Sequence, residues 1–146
     1  MTARAVGWGA AALGVLLGVA PFLDWYRAAL PERSVTYSGV EVAGELWTLP
    51  ALALVTVGLG VALAVLRPDP RWTPARWIGG ALATAGIFAL VWTLRAVLDI
   101  QAEAIPVDVV APPRAPLTAQ PFSFLAAAVG AAIASAGFAW LRDGAD

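Results

Sequence analysis

Arg95, Asp99 and Glu103 stand at successive four-residue intervals. On a helix that spacing sets the Arg95 guanidinium one turn from the Asp99 carboxylate and two turns from Glu103, which leaves two readings open. In one, Arg95 is an interfacial side chain reaching water beside its carboxylate, an exposed i,i+4 pair worth roughly 0.3–0.5 kcal/mol. In the other, Arg95 turns inward and, with Asp24, lines a polar pocket, since a charge held at membrane depth is costly and often functional. Glu41 and Glu45 are also four apart. Their segment reads as strand and turn, so no acid and base roles follow from the spacing.

The rest of the chemical inventory is short. The chain has no Cys and no His, and all 9 basic residues are Arg. That excludes thiolate and imidazole catalysis, Cys-based zinc and iron–sulfur sites, and Schiff-base chemistry on Lys. Lys and Asn are both missing, which fits a GC-rich coding genome. Gly79-Gly80 lies inside an apolar run and is no phosphate loop. No catalytic residues, cofactor or metal site are expected.

What must position these residues follows from composition. Of 146 residues, 60% are hydrophobic and 13% charged, whereas soluble domains carry about 25% charged residues. So short a chain cannot hide that much apolar surface from water. A single integral membrane domain over 1–146 is expected, and bulk-charge nucleic-acid binding is excluded. Crossing a bilayer takes about 20 mostly apolar residues. Four uncharged runs meet that length, at 5–23, 49–66, 77–94 and 122–141, leaving longer loops at 24–48 and 95–121. The first run follows Arg4 and could be a signal peptide. Pro21 after Ala20, the one plausible cleavage position, favours an uncleaved span.

Arg placement orients the spans. Arg4, Arg67, Arg71, Arg76 and Arg142 share one side with Asp69, Asp143 and Asp146, giving +2. The other side sets Arg27, Arg33, Arg95 and Arg114 against Asp24, Glu32, Glu41, Glu45, Asp99, Glu103 and Asp108, giving -3, and the two recover the net -1. Positive residues stay in the cytoplasm, so both termini and the short 67–76 loop are expected inside. Trp8, Trp72, Trp77 and Trp140 fall near the inner boundary. Trp25, Tyr26, Trp47 and Trp92 fall near the outer one, as headgroup-level aromatic belts do. The alternative for the tryptophans is a ligand-binding cluster.

Small residues recur at helix-packing intervals: Gly14 with Gly18, Gly79 with Ala83, and Ala126, Gly130 and Ala134. Such spacing lets helix backbones approach closely, for packing within the bundle or for a dimer face. Gly58 and Gly60 thin the second span.

The loops carry the shape. Ser34-Val35-Thr36-Tyr37-Ser38-Gly39-Val40-Glu41-Val42 alternates in period two and reads as a strand or short hairpin, with Gly39 as turn or bulge. Ile105-Pro106-Val107-Asp108-Val109-Val110 alternates likewise, and Pro112, Pro113 and Pro116 make an extended return to the fourth span. A lone hairpin is marginal in water, so strands from the two loops are expected to pair into a small sheet capping the outer face. The alternative is two irregular loops. The expected fold is thus a membrane all-α, four-helix bundle with both termini cytoplasmic and a small β-sheet formed by the two extracytoplasmic loops.

Phe22-Leu23-Asp24-Trp25, Val35-Thr36-Tyr37-Ser38-Gly39, Leu49-Pro50-Ala51-Leu52-Ala53-Leu54 and the tight Arg-bearing turn follow one another along the chain. Their order resembles a family of small actinobacterial four-span membrane proteins associated with tryptophan-biosynthesis operons, over almost the whole length. The resemblance implies topology and a multi-pass place in the bacterial inner membrane, and no reaction.

The functional expectation is a non-enzymatic accessory or interaction protein whose outer loops and sheet face a membrane protein partner or a second copy, within the lipid bilayer. The alternative is a carrier or receptor for a small amphipathic or aromatic molecule. Asp24, Trp25, Trp47, Trp92, Arg95 and Asp99 are the candidate contacts for ligand or partner.

Overall fold

A computed structural model of the chain describes residues 2–29, 34–102 and 117–144. It is mostly helical. Helix α1 spans Ala3–Val19, α3 Thr48–Leu66, α4 Thr73–Ala102 and α5 Pro121–Asp143, with a single-turn helix α2 at Gly39–Val42. Each of the four long helices forms most of a segment of 20 to 27 residues, of mean hydropathy 1.8 to 2.4, long and apolar enough to cross a membrane. Proline marks the starts: Pro121 opens α5, where its missing N–H is one no helix would use. Thr2 caps α1 by accepting from the Ala5 N–H.

Helix α4 outruns its expected span at both ends, starting at Thr73 inside the expected 67–76 loop. α4 continues to Ala102, eight residues past 94, because Arg95 pairs with Asp99 one turn on rather than ending the helix. Residues 95–102 are therefore helix and not loop. The strand expected at 105–110, and Glu103, lie outside the described residues.

Between α1 and α3 the chain forms strands β1, Asp24–Ala29, and β2, Ser34–Ser38; before α5 it forms β3, Leu117–Ala119. They make one antiparallel sheet in the order β2-β1-β3. The two connecting segments thus pair as expected, but β1 is the central strand although it has no alternating pattern. A bulge at Asp24/Tyr26 shifts the register, and it turns both Trp25 and Tyr26 inward, each 0% exposed. The Gln120 N–H donates to the Trp25 carbonyl at 2.7 Å, tying the return strand to the same place.

The strand or hairpin expected over 34–42 stops at Ser38, and 39–42 is helical instead. The cause is local. The Ser38 N–H and hydroxyl both donate to the Glu41 carboxylate, at 2.7 and 2.8 Å, the reciprocal half of a capping box. Those bonds hold the Glu41 carboxyl below its ordinary range, the backbone bond contributing most. Gly39 is needed for space: a Cβ there would lie 2.9 Å from the Trp25 ring.

The long helices associate as two close pairs, α1 with α3 and α4 with α5, and α1 also packs on α5. Glycines let the backbones meet. A Cβ on Gly7 would sit 2.5 Å from both the Ala64 nitrogen and the Gly60 carbonyl oxygen, and one on Gly60 would sit 2.6 Å from the Ala11 nitrogen. In the second pair Gly79 and Ala83 meet Gly137, while Gly130 and Ala134 meet Gly86. The small-residue spacing therefore serves packing inside the bundle. Gly58 is different, with open space where its Cβ would be.

Candidate functional site

The six candidate residues all belong to the sheet end of the bundle, but they do not form one site. Trp25 is fully buried, and its indole N–H donates to the Ala20 carbonyl at 2.6 Å. It is a core residue fastening the sheet to the end of α1, not an interfacial belt residue or an accessible ligand contact. Asp24, one residue earlier, is exposed at the edge of the bulge. Tyr26 is buried beside Trp25, and its hydroxyl donates to the Ala96 carbonyl on α4 at 3.3 Å. Trp140, expected in the opposite belt, is also buried, with its indole N–H on the Ala75 carbonyl at 2.9 Å. In each case a backbone carbonyl satisfies the polar edge of the ring, so water is not needed and the ring enters the core.

Arg95 and Asp99 are 55% and 66% exposed, with Nε 3.2 Å from the carboxylate. The Arg95 guanidinium also lies 5.8 Å from the centroid of the half-buried Trp92 ring. Arg95 therefore reaches outward, as the interfacial reading has it, and lines no inward pocket with Asp24. Trp47 is exposed and packs edge-on against Phe22, with ring centroids 5.3 Å apart and planes at 77°.

What lies beneath Trp92 was not visible in the sequence. An apolar cleft of about 340 Å³ is lined by Thr48, Ala51, Leu52, Val55, Phe88 and Trp92. It shares Leu52, Val55 and Phe88 with a second cleft of about 570 Å³ that continues along α3 and α4 past Thr84, Ala81 and Gly80 to Trp77. Together they form one groove that lies against Thr48–Val55 of α3 and runs along α4 from Trp92 to Trp77; α3 and α4 are the consecutive long helices that touch least. Its α4 side spans fifteen residues, Trp77 to Trp92, about 22 Å at 1.5 Å per helical residue, and its α3 side seven, Thr48 to Val55, about 10 Å. Both hydroxyls bordering it are committed to their own segments, Thr48 to the Glu45 carbonyl at 2.8 Å and Thr84 to the Gly80 carbonyl at 2.9 Å. The groove thus offers shape and apolar contact and no group for proton transfer. Among the described residues no three His, Cys, Asp or Glu side chains gather to hold a metal ion.

Burial gives Tyr26 a testable titration. Desolvation raises its phenol above the ordinary value of 10.0. A folded value above the unfolded one means the contribution is complete below pH 10 and is lost as pH rises beyond it. Thermal melts of the wild type are therefore expected to fall off above pH 10 more steeply than those of Tyr26→Phe. At neutral pH the variant forfeits only the long bond to Ala96, about 0.5 kcal/mol. Parallel pH profiles for the two proteins would place Tyr26 in contact with water.

Comparison with family models, with curated proteins and with solved structures returned no match. The reading of function rests on the geometry.

Proposed function

We propose that this chain is a non-enzymatic accessory subunit of a bacterial cell membrane, spanning it four times with both termini in the cytoplasm. It accommodates a membrane partner's transmembrane helix in the α3–α4 groove and presents the sheet-capped outer end to the same partner. The observation that carries this reading is the groove itself. Close glycine contacts hold α1 to α3 and α4 to α5, whereas α3 and α4 touch each other little, and the groove lies between them. Its α4 side, about 22 Å long, is longer than one leaflet of a hydrocarbon core about 30 Å thick. The resemblance to small actinobacterial membrane proteins supports the assignment to a bacterial inner membrane, and the +2 and -3 charge division supports the orientation.

Gentle detergent extraction followed by native mass measurement tests the reading. A complex with a second membrane chain, or a homo-oligomer, is the expected species. Val55→Trp, which fills the groove from α3, is expected to dissociate it without lowering the melting temperature of the released chain. A strictly monomeric wild type with no co-purifying protein would overturn it.

A second reading is favoured by one observation, the apolar cleft under Trp92 with the Arg95 cation at its rim. That pairing suits a carrier or receptor for a small amphipathic or aromatic molecule. Thermal stabilisation by members of an indole-containing metabolite panel, abolished in Trp92→Ala, is what this reading requires.

A further inference from the structure

The end of the bundle opposite the sheet holds a cleft that the proposed function does not use. It is about 430 Å³, lined by Thr2, Ala3, Arg4, Arg67, Pro68, Pro70 and Trp140. Two of these are cations, Arg4 from the first turn of α1 and Arg67 from the end of α3, and no carboxylate is among the lining residues. Asp69 and Asp143 belong to the same end, and the Asp69 carboxylate accepts from the Arg71 backbone N–H at 2.9 Å. The other lining residues are mostly apolar, a floor of Ala3, Pro68 and Pro70 with the edge of the otherwise buried Trp140.

Arg67 is unusual in its backbone as well. Its φ of 49° and ψ of 48° are left-handed, the single positive φ at a non-glycine among the described residues. That conformation terminates many helices, and glycine is the usual residue because a Cβ is penalised there. Pro68 follows, which restricts Arg67 further. A strained backbone at a side chain that lines a cleft points from geometry towards use. Glycine would close α3 as well but would leave Arg4 as the sole lining cation.

We propose that this cleft binds the phosphate ester of an anionic phospholipid headgroup, with Arg4 and Arg67 on the phosphate and the Ala3–proline floor under the apolar part that follows it. The proposal rests on the membrane reading above, since it places the cleft at the inner headgroup level. Free inorganic phosphate would satisfy the two guanidiniums but leave the apolar floor unused, which is why a lipid source is preferred. Arginine suits the role because its planar fork matches phosphate oxygens.

The test uses the full chain reconstituted in phosphatidylcholine bilayers with and without phosphatidylglycerol, read by thermal unfolding and by lipid retained in native mass spectra. Phosphatidylglycerol is expected to raise the melting temperature of the wild type, as a ligand that binds the folded state must, and to be retained. Arg67→Gly is expected to melt higher than wild type in phosphatidylcholine, its backbone relieved, yet to lose the phosphatidylglycerol increment and the retained lipid. Arg4→Gln loses the increment with little change in the baseline. Arg71→Gln, at the same end but outside the cleft, keeps it. An equal loss in Arg71→Gln would mean bulk charge and overturn the proposal, as would an unchanged wild-type melt. Saturation of the effect by inorganic phosphate or glycerol 3-phosphate would overturn the lipid source. Failure of the membrane reading looks different: the chain would stay soluble and folded with neither detergent nor bilayer.

Discussion

Gly86→Val is expected to separate α4 from α5 and leave little folded protein. A Cβ at Gly86 would run into the Ala134 nitrogen and come within 2.6 Å of the Gly130 carbonyl oxygen and 2.8 Å of the Ala134 Cα. These are backbone atoms, so no rotamer change can make room and the helices must move apart. Moving apart also loosens Gly130 against Leu90 and Gly137 against Ala83, because the three contacts share one helix pair. Overpacking a side-chain core typically costs about 1–3 kcal/mol, and a rigid backbone neighbour puts this substitution at or beyond about 3 kcal/mol. Gly9→Ala and Gly58→Ala are the matched controls. Neither Cβ would meet an atom within 4 Å, and alanine gains up to about 1 kcal/mol of helix propensity over glycine. Detergent-solubilised thermal melts should therefore order the proteins as Gly58→Ala at or above wild type and Gly86→Val far below. A wild-type melt for Gly86→Val would contradict the backbone contact.

Trp25→Ala is expected to cost about 3–5 kcal/mol, the range for removing a fully buried aromatic side chain. The indole is 0% exposed, lies against Gly39, and is hydrogen-bonded to the carbonyl of Ala20 at the end of α1. Its loss opens a cavity where β1, α2 and α1 meet, so melting and protease resistance of the sheet should fall together. Trp25→Phe separates packing from hydrogen bonding. The Ala20 carbonyl still accepts from the Leu23 N–H at 3.1 Å, so no acceptor is stranded and the cost should be nearer 1–2 kcal/mol. Trp47→Ala, at 58% exposed, should leave the melt within about 0.5 kcal/mol of wild type. Equal losses for Trp25→Ala and Trp47→Ala would mean that Trp25 is not the fastening described.

The elements were legible in the sequence to the extent that their signal is local. Uninterrupted apolarity marked all four long helices, and charges or prolines marked their ends. The misjudged end was that of α4, where Arg95 looked like a boundary but is followed by Asp99 at the interval that stabilises a helix. Alternation marked β2. Strand β1 escaped because its bulge puts two consecutive aromatics on one face, which erases the period of two. The Ser38-Gly39-Val40-Glu41 capping box is a local signal too, and in the fold it overrides the alternation that runs through the same residues.

The candidate site divides along the same line. Arg95 and Asp99 were identifiable because an i,i+4 pair is set within one helix. The groove was not, since it depends on which helix pairs with which, and no spacing within α3 or α4 says that each packs best on another helix. The belt assignment failed for Trp25, Tyr26 and Trp140 because a ring near a span's end enters the core when a backbone carbonyl meets its N–H or O–H, whether five residues away as for Trp25 or on another helix as for Tyr26. From Trp140 that carbonyl lies 65 residues away.

By itself, then, the sequence determined the number and apolar character of the long helices, the chemistry the chain lacks, the charge division between its two ends and the small residues available for close packing. These follow from residue type and short-range spacing, which act over a turn or two of backbone. Tertiary structure alone decided that α1 pairs with α3 and α4 with α5, leaving the α3–α4 groove open. It alone buried Trp25 while leaving Trp47 exposed, and it brought Arg4 and Arg67 to one cleft from the start of α1 and the end of α3. Those outcomes depend on the match between whole helix surfaces. That match is made of contacts between residues far apart in the chain, where spacing carries no information.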